Sequence, residues 1–133
     1  MIFIDTNVLL DVVTDDPVWA DWSQLQLNAA ALRDRLAITP VVYAEFSSRF
    51  TRMEDIDAML ASMEINVPEM PRSALFLAAK VFQEYRSRGG SRISVLPDFF
   101  IGAHAIVLGA PLITRDANRY RGYFPTVELI APN

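Results

Sequence analysis

The feature that most constrains this chain is the alternation of very short apolar runs with longer segments of helical character. Ile2-Phe3-Ile4 stops at Asp5, Leu36-Ala37-Ile38-Thr39 stops at Pro40, and Leu112-Ile113-Thr114 runs up to Arg115 and Asp116. Glu64 to Pro68 and Thr126 to Ile130 supply two further runs. Runs this short and this apolar predict strands buried on both faces, as in a parallel sheet.

The intervening segments carry helix signals. A helical turn or two is expected from Val8 to Val13. Asp16 then serves as N-cap with Pro17 at the first helical position, opening a long amphipathic helix. Its row Val18, Trp22, Leu25, Ala29, Leu32 and Leu36 recurs at three- and four-residue spacing and is expected to face the core. Thr39-Pro40 opens a helix over Val41 to Arg49, and Glu54 to Met63 forms a shorter one. Pro71 to Arg88 presents Ala74, Leu77, Ala78, Val81, Phe82 and Tyr85 on one side, and Gly89-Gly90 ends it. Pro97 opens the next helix, with Asp98 in its first turn and Gly109 near its end. Strands alternating with helices predict an α/β fold: a three-layer α/β/α sandwich around a mainly parallel sheet of about five strands.

At 133 residues, 52% of them hydrophobic, and with no linker, repeat or low-complexity tract, residues 1–133 read as one domain. There is no cysteine, which removes disulfides and thiolate chemistry and suits a cytoplasmic protein. The longest apolar stretch, Phe99 to Ile113, falls short of the roughly 20 residues of a membrane span and is interrupted by Gly102, His104, Gly109 and Pro111. The first residues lack the pattern of a signal peptide, since an acid stands at position 5. No membrane association is expected.

In this arrangement Asp5 and Asp116 end strands, while Glu45 and Asp98 begin helices that leave strands. All four acids therefore fall at the carboxyl edge of the sheet, where open α/β folds build their sites. Carboxylates gathered this way repel one another unless a cation neutralises them. Without cysteine, and with the single histidine His104, a typical zinc site is excluded, and oxygen ligands favour Mg²⁺ or Mn²⁺. Such ions serve phosphoryl chemistry. The net charge of −4 argues against a non-specific nucleic-acid coat, yet eleven of the twelve basic residues are arginines. Arg86, Arg88, Arg92, Arg115, Arg119 and Arg121 flank two of the acids and could hold the phosphates of a polymer.

Taken singly, each acid also fits a plainer role. Asp5 and Asp116 suit caps, Asp98 suits the helix dipole, and Glu45 suits a solvated helix face. Their convergence on one edge is what favours a shared site. His104, apolar on both sides, reads as a packed core histidine. Trp19 and Trp22 read as core-facing or partner-facing, and Glu54-Asp55-Ile56-Asp57 as a solvated face.

Ile4-Asp5-Thr6-Asn7, Glu45 just after a strand, Leu96-Pro97-Asp98-Phe99-Phe100-Ile101-Gly102-Ala103-His104-Ala105 and Leu112-Ile113-Thr114-Arg115-Asp116, in this order and spacing, resemble the PIN-domain family. More narrowly, the chain is similar over its full length to VapC-type toxins of toxin–antitoxin pairs. The resemblance implies a Mg²⁺-dependent endoribonuclease whose acidic site is Asp5, Glu45, Asp98 and Asp116. Asp5, Asp98 and Asp116 would be metal ligands, and Glu45 a ligand or a base acting through water. Thr6, Asn7 and Thr114 would orient the carboxylates. The implied partners are RNA, a cognate antitoxin and a second copy of the chain. Some relatives carry a further acid soon after the fourth, where this chain has Ala117, Asn118 and Arg119.

Two other classes remain open at this level. One is a non-catalytic module of the same fold that binds RNA or a partner. The other is a Mg²⁺-dependent small-molecule phosphatase; the haloacid-dehalogenase type needs a second Asp two residues after the first, where Asn7 stands.

Overall fold

The computed structural model describes residues 1–133. The elements are β1 (Ile2–Ile4), α1 (Thr6–Val13), α2 (Ala20–Arg33), β2 (Leu36–Ala37), α3 (Pro40–Ser47), α4 (Met53–Ser62), β3 (Ile65–Asn66) and α5 (Arg72–Ser87). They continue with α6 (Leu96–Leu108), entered through a single 3₁₀ turn, then β4 (Leu112–Ile113), the one-turn α7 (Asn118–Arg121) and β5 (Leu129–Ile130).

The five strands form one sheet in the order β3-β2-β1-β4-β5, and every neighbouring pair is parallel. The order runs outward from β1 through β2 to β3, and on the other side through β4 to β5. The gap between β1 and β4 is therefore the topological switch point, the place where α/β sheets open a crevice beyond the strand ends. Every residue of β1, β2 and β4 is buried, as the apolar runs predict for strands covered on both faces. Around them α5 packs along α6, while α1 packs against α2 and α3.

Helix boundaries follow local chemistry. Asp5 caps α1, and Pro40 opens α3 within its first turn. Gly109 ends α6 in the left-handed conformation, φ 61°, which costs a glycine little. Beyond α5, Gly89 takes φ 88° and Gly90 lies against the Tyr85 ring so closely that a Cβ there would sit 2.4 Å from it.

The expected core face of α2 is wrong in phase. Of the expected row, Val18, Leu25, Ala29 and Leu32 are exposed, Leu32 to 91%, while Trp22 packs against the core and Leu36 is buried in β2; on the helix itself Ser23, Leu27 and Ala30 are the buried residues. Asp16 does cap, accepting from the Val18 and Trp19 amides at 2.9 and 2.8 Å, but the turn it caps precedes a helix that begins at Ala20. The rotation has a polar cause. Asp11 of α1 is buried, and Ser23 turns inward to donate to its Oδ2 at 2.7 Å. Satisfying a buried carboxylate outweighs the stronger apolar stripe on the opposite side.

Candidate active site

Asp5 follows β1 and is 2% exposed. Its Oδ1 accepts from the Thr6 amide at 2.8 Å, and its Oδ2 accepts from the Thr114 hydroxyl at 2.8 Å and the Tyr120 hydroxyl at 2.9 Å. Burial raises its pKa from the ordinary carboxylate value, against the pull of these three donors and of Arg119. Tyr120 is itself buried and is held neutral, its pKa pushed well above the usual value by burial and by the nearby Asp5 and Asp98 charges. It therefore remains a donor.

The other three acids come from separate elements. Glu45, exposed on α3, accepts from the Thr6 hydroxyl at 2.7 Å, so one threonine serves both Asp5 and Glu45. Asp98 lies in the first turn of α6 with its side chain 15% exposed. Its pKa rises to about 6, first through burial and then through the charges of Asp5, Glu45 and Asp116, with Arg119 opposing. Asp116, after β4, donates its amide to Thr114 Oγ1 at 3.0 Å and accepts from Arg119 Nε at 2.8 Å. Thr114 thus links two strand-end acids, accepting from one and donating to the other. Shared side chains bring the four acids to one edge: Thr6 bonds Asp5 and Glu45, Thr114 bonds Asp5 and the Asp116 amide, and Arg119 pairs with Asp98 and Asp116.

The cluster is nevertheless open. No three His, Asp or Glu side chains anywhere in the chain close on one point at metal-ligand spacing. The donor set still fits a hard divalent ion, since Mg²⁺ typically takes one or two carboxylates and fills its remaining positions with water and substrate phosphate. Asp98 and Asp116, with side chains 15% and 44% exposed, and the buried Asp5 are the carboxylates that could offer such oxygens. A cavity of about 860 Å³ lies elsewhere, between the end of α2, α4 and the starts of β2 and β3, and none of its walls is one of the four acids.

The flanking residues divide. Thr6 and Thr114 hold carboxylates as expected, but Asn7 instead accepts from the Arg115 amide at 3.3 Å. Arg115 is no rim arginine: its Nε donates to buried Asp11 at 2.6 Å, and its guanidinium lies 5.2 Å from the Trp19 ring. Arg88 pairs with Glu84, and Arg86 lies over Phe82. Arg119 faces the acids themselves, with Nη1 3.8 Å from Asp98. His104 is a core residue, 3.0 Å from the Thr39 hydroxyl and against Phe3, with burial lowering its pKa. Sequence reading missed Tyr120 and the inward role of Arg119. Both lie in a one-turn helix with no periodic signal of its own, and only the four-residue spacing from Asp116 to Tyr120 hinted at a shared turn.

An acid after β1, another after β4 and a third opening α6 define the class of protein: an α/β domain with an acidic site at the switch point of a parallel sheet. The chain belongs to the PIN domain family, whose sequence profile matches residues 2–124. Its fold is similar to that of VapBC2 from Rickettsia felis bound to a DNA fragment from their promoter, at 22% identity with 98% of each chain covered and a TM-score of 0.74. It is also similar to VapBC-1 from nontypeable Haemophilus influenzae, at 21% identity, 98% of each chain and a TM-score of 0.70. A toxin–antitoxin complex from Klebsiella pneumoniae matches at 19% identity over 100% of this chain and 98% of that one, with a TM-score of 0.67. No curated protein sequence matches significantly. No helix is long and apolar enough to cross a membrane.

Proposed function

We propose that this chain is a metal-dependent endoribonuclease and the toxin of a toxin–antitoxin pair. The observation that carries the reading is the convergence of Asp5, Glu45, Asp98 and Asp116 at the switch point of a PIN fold. Mg²⁺ or Mn²⁺, held by Asp5, Asp98 and Asp116, would supply charge neutralisation for the phosphodiester and lower the pKa of water. Asp5 is fixed by three donors, two on Oδ2 and one on Oδ1, which leaves one lone pair, on Oδ1, for an ion. Glu45, exposed and bonded on one oxygen by Thr6, would take a proton from the attacking water. Water would add to phosphorus as the bond to the 3′ oxygen breaks, that oxygen taking a proton from solvent in place of the one given to Glu45, so that the products are a 5′-phosphate and a 3′-hydroxyl.

The similarity to VapBC structures supports a cognate antitoxin as partner, and a homodimer is proposed with it. Val18 just before α2, Leu25 and Leu32 on α2, and Leu75 and Phe76 on α5 are exposed apolar side chains of the kind such partners cover. The cytoplasm is the compartment proposed.

Purified protein incubated with RNA and Mg²⁺, alongside Asp5→Asn and Asp98→Asn, tests the activity. Wild type should cleave only with metal, and each variant should lose more than the roughly 10- to 100-fold that loss of an outer partner costs. Equal cleavage by all three would overturn the reading, and RNA binding without metal-dependent cleavage would favour a non-catalytic module.

A further inference from the structure

Asp98 and Asp116 reach the site from different elements, and one guanidinium spans them. Arg119 places Nε 2.8 Å from Asp116 Oδ2 and Nη1 3.8 Å from Asp98 Oδ1. The partners of Asp5 and Glu45 are neutral, namely Thr6, Thr114 and Tyr120. Arg115, the other cation close in sequence, is turned away onto Asp11. Arg119 is thus the one basic side chain paired with the four acids.

Its backbone is fixed while its side chain is free to leave. The Arg119 amide donates to the Asp116 carbonyl at 3.1 Å, and the next residue, Tyr120, is locked in the core by its bond to Asp5. The Arg119 side chain itself is 50% exposed, with a long stem that reaches solvent.

We propose that Arg119 is a built-in counter-cation, lying across Asp98 and Asp116 in the metal-free protein and competing with a divalent ion for both carboxylates. Resting on the metal-site reading above, this sets a guanidinium against two of the proposed ligands before any ion enters. Metal entry requires the side chain to swing outward, so that Arg119 sets the ion concentration at which the site fills.

Binding of Mn²⁺ alone, followed by calorimetry and by the free-ion paramagnetic resonance signal, tests this on wild type, Arg119→Met and Arg121→Met. Arg121 is an arginine of the same turn with no acidic partner, and it controls for the loss of a nearby charge. Arg119→Met should bind Mn²⁺ about fivefold more tightly than wild type, the ratio equivalent to one half-exposed ion pair, and Arg121→Met should match wild type. Unchanged or weaker binding by Arg119→Met would overturn the proposal while leaving the metal site standing. No Mn²⁺ binding by any of the three would overturn both. Tighter binding without RNA cleavage by wild type would leave the counter-cation in place and remove the nuclease. In the wild-type protein, which needs no variant to fold, the Arg119 Nε–H resonance should shift along the Mg²⁺ binding isotherm. A resonance that stays fixed at saturation would likewise overturn the proposal.

Discussion

Asp98 shows what gathering the acids costs. Its pKa of about 6 stands above the ordinary 3.8, so between these values the folded protein keeps a proton that the unfolded chain has released. Stability of the metal-free protein should therefore fall, as far as Asp98 contributes, as pH rises through that window. The effect is complete above pH 6. Asp98→Asn removes it, and the variant should gain on wild type by on the order of 1–2 kcal/mol between pH 4 and pH 7, the full shift being reduced by solvent screening of this partly exposed group. Urea titrations at several pH values in metal-free buffer check this; a constant difference across the range would refute it. The same residues show what can be seen before folding. Asp5, Asp98 and Asp116 were readable because each stands at a strand end or helix start, while Glu45 lies in the second turn of α3 and not at its start; Tyr120 was not readable, since a hydroxyl that bonds an acid 115 positions away leaves no local pattern.

At the scale of elements, α2 shows periodicity overruled. Val18, Leu25, Ala29 and Leu32 of the stronger apolar row face outward, while Ser23 faces inward and donates to the buried Asp11. Leu27→Ala should then cost about 2–5 kcal/mol, as for a buried leucine. Leu32→Ala should stay within about 0.5 kcal/mol, as for an exposed position. Chemical denaturation of the two variants decides between the phases, and the reverse ranking would restore the expected face. The helix α5 behaved as its pattern predicts, with Ala74 and Ala78 buried and Leu77, Val81, Phe82 and Tyr85 packed beside the core. No buried acid lies beneath it to compete.

Across the whole molecule, the acidic edge depends on ties between distant parts of the chain. Asp11 joins α1 to α2 through Ser23 and to the segment after β4 through Arg115, which also stacks on Trp19. That segment carries Asp116 and leads into Tyr120. Asp11→Ala should lower stability by on the order of 2 kcal/mol, in a single cooperative transition, because it leaves a donor and a partly buried cation without their partner. Weakened Mn²⁺ binding should accompany the loss if the tie also places Asp116, and both are measurable on the same protein.

The sequence by itself determined the class of fold and the edge at which chemistry can occur. Short runs buried on both faces can only be strands of a covered sheet, and an acid at the end of a run must emerge where that strand ends. What the tertiary structure alone decided is how those acids are held. Strand order set β1 beside β4, bringing Thr114 and Tyr120 onto Asp5, and the turn after Asp116 laid Arg119 across two carboxylates instead of outward on the rim. Such contacts join residues far apart in the chain, so local propensity and periodicity, which act over a few residues, carry no record of them.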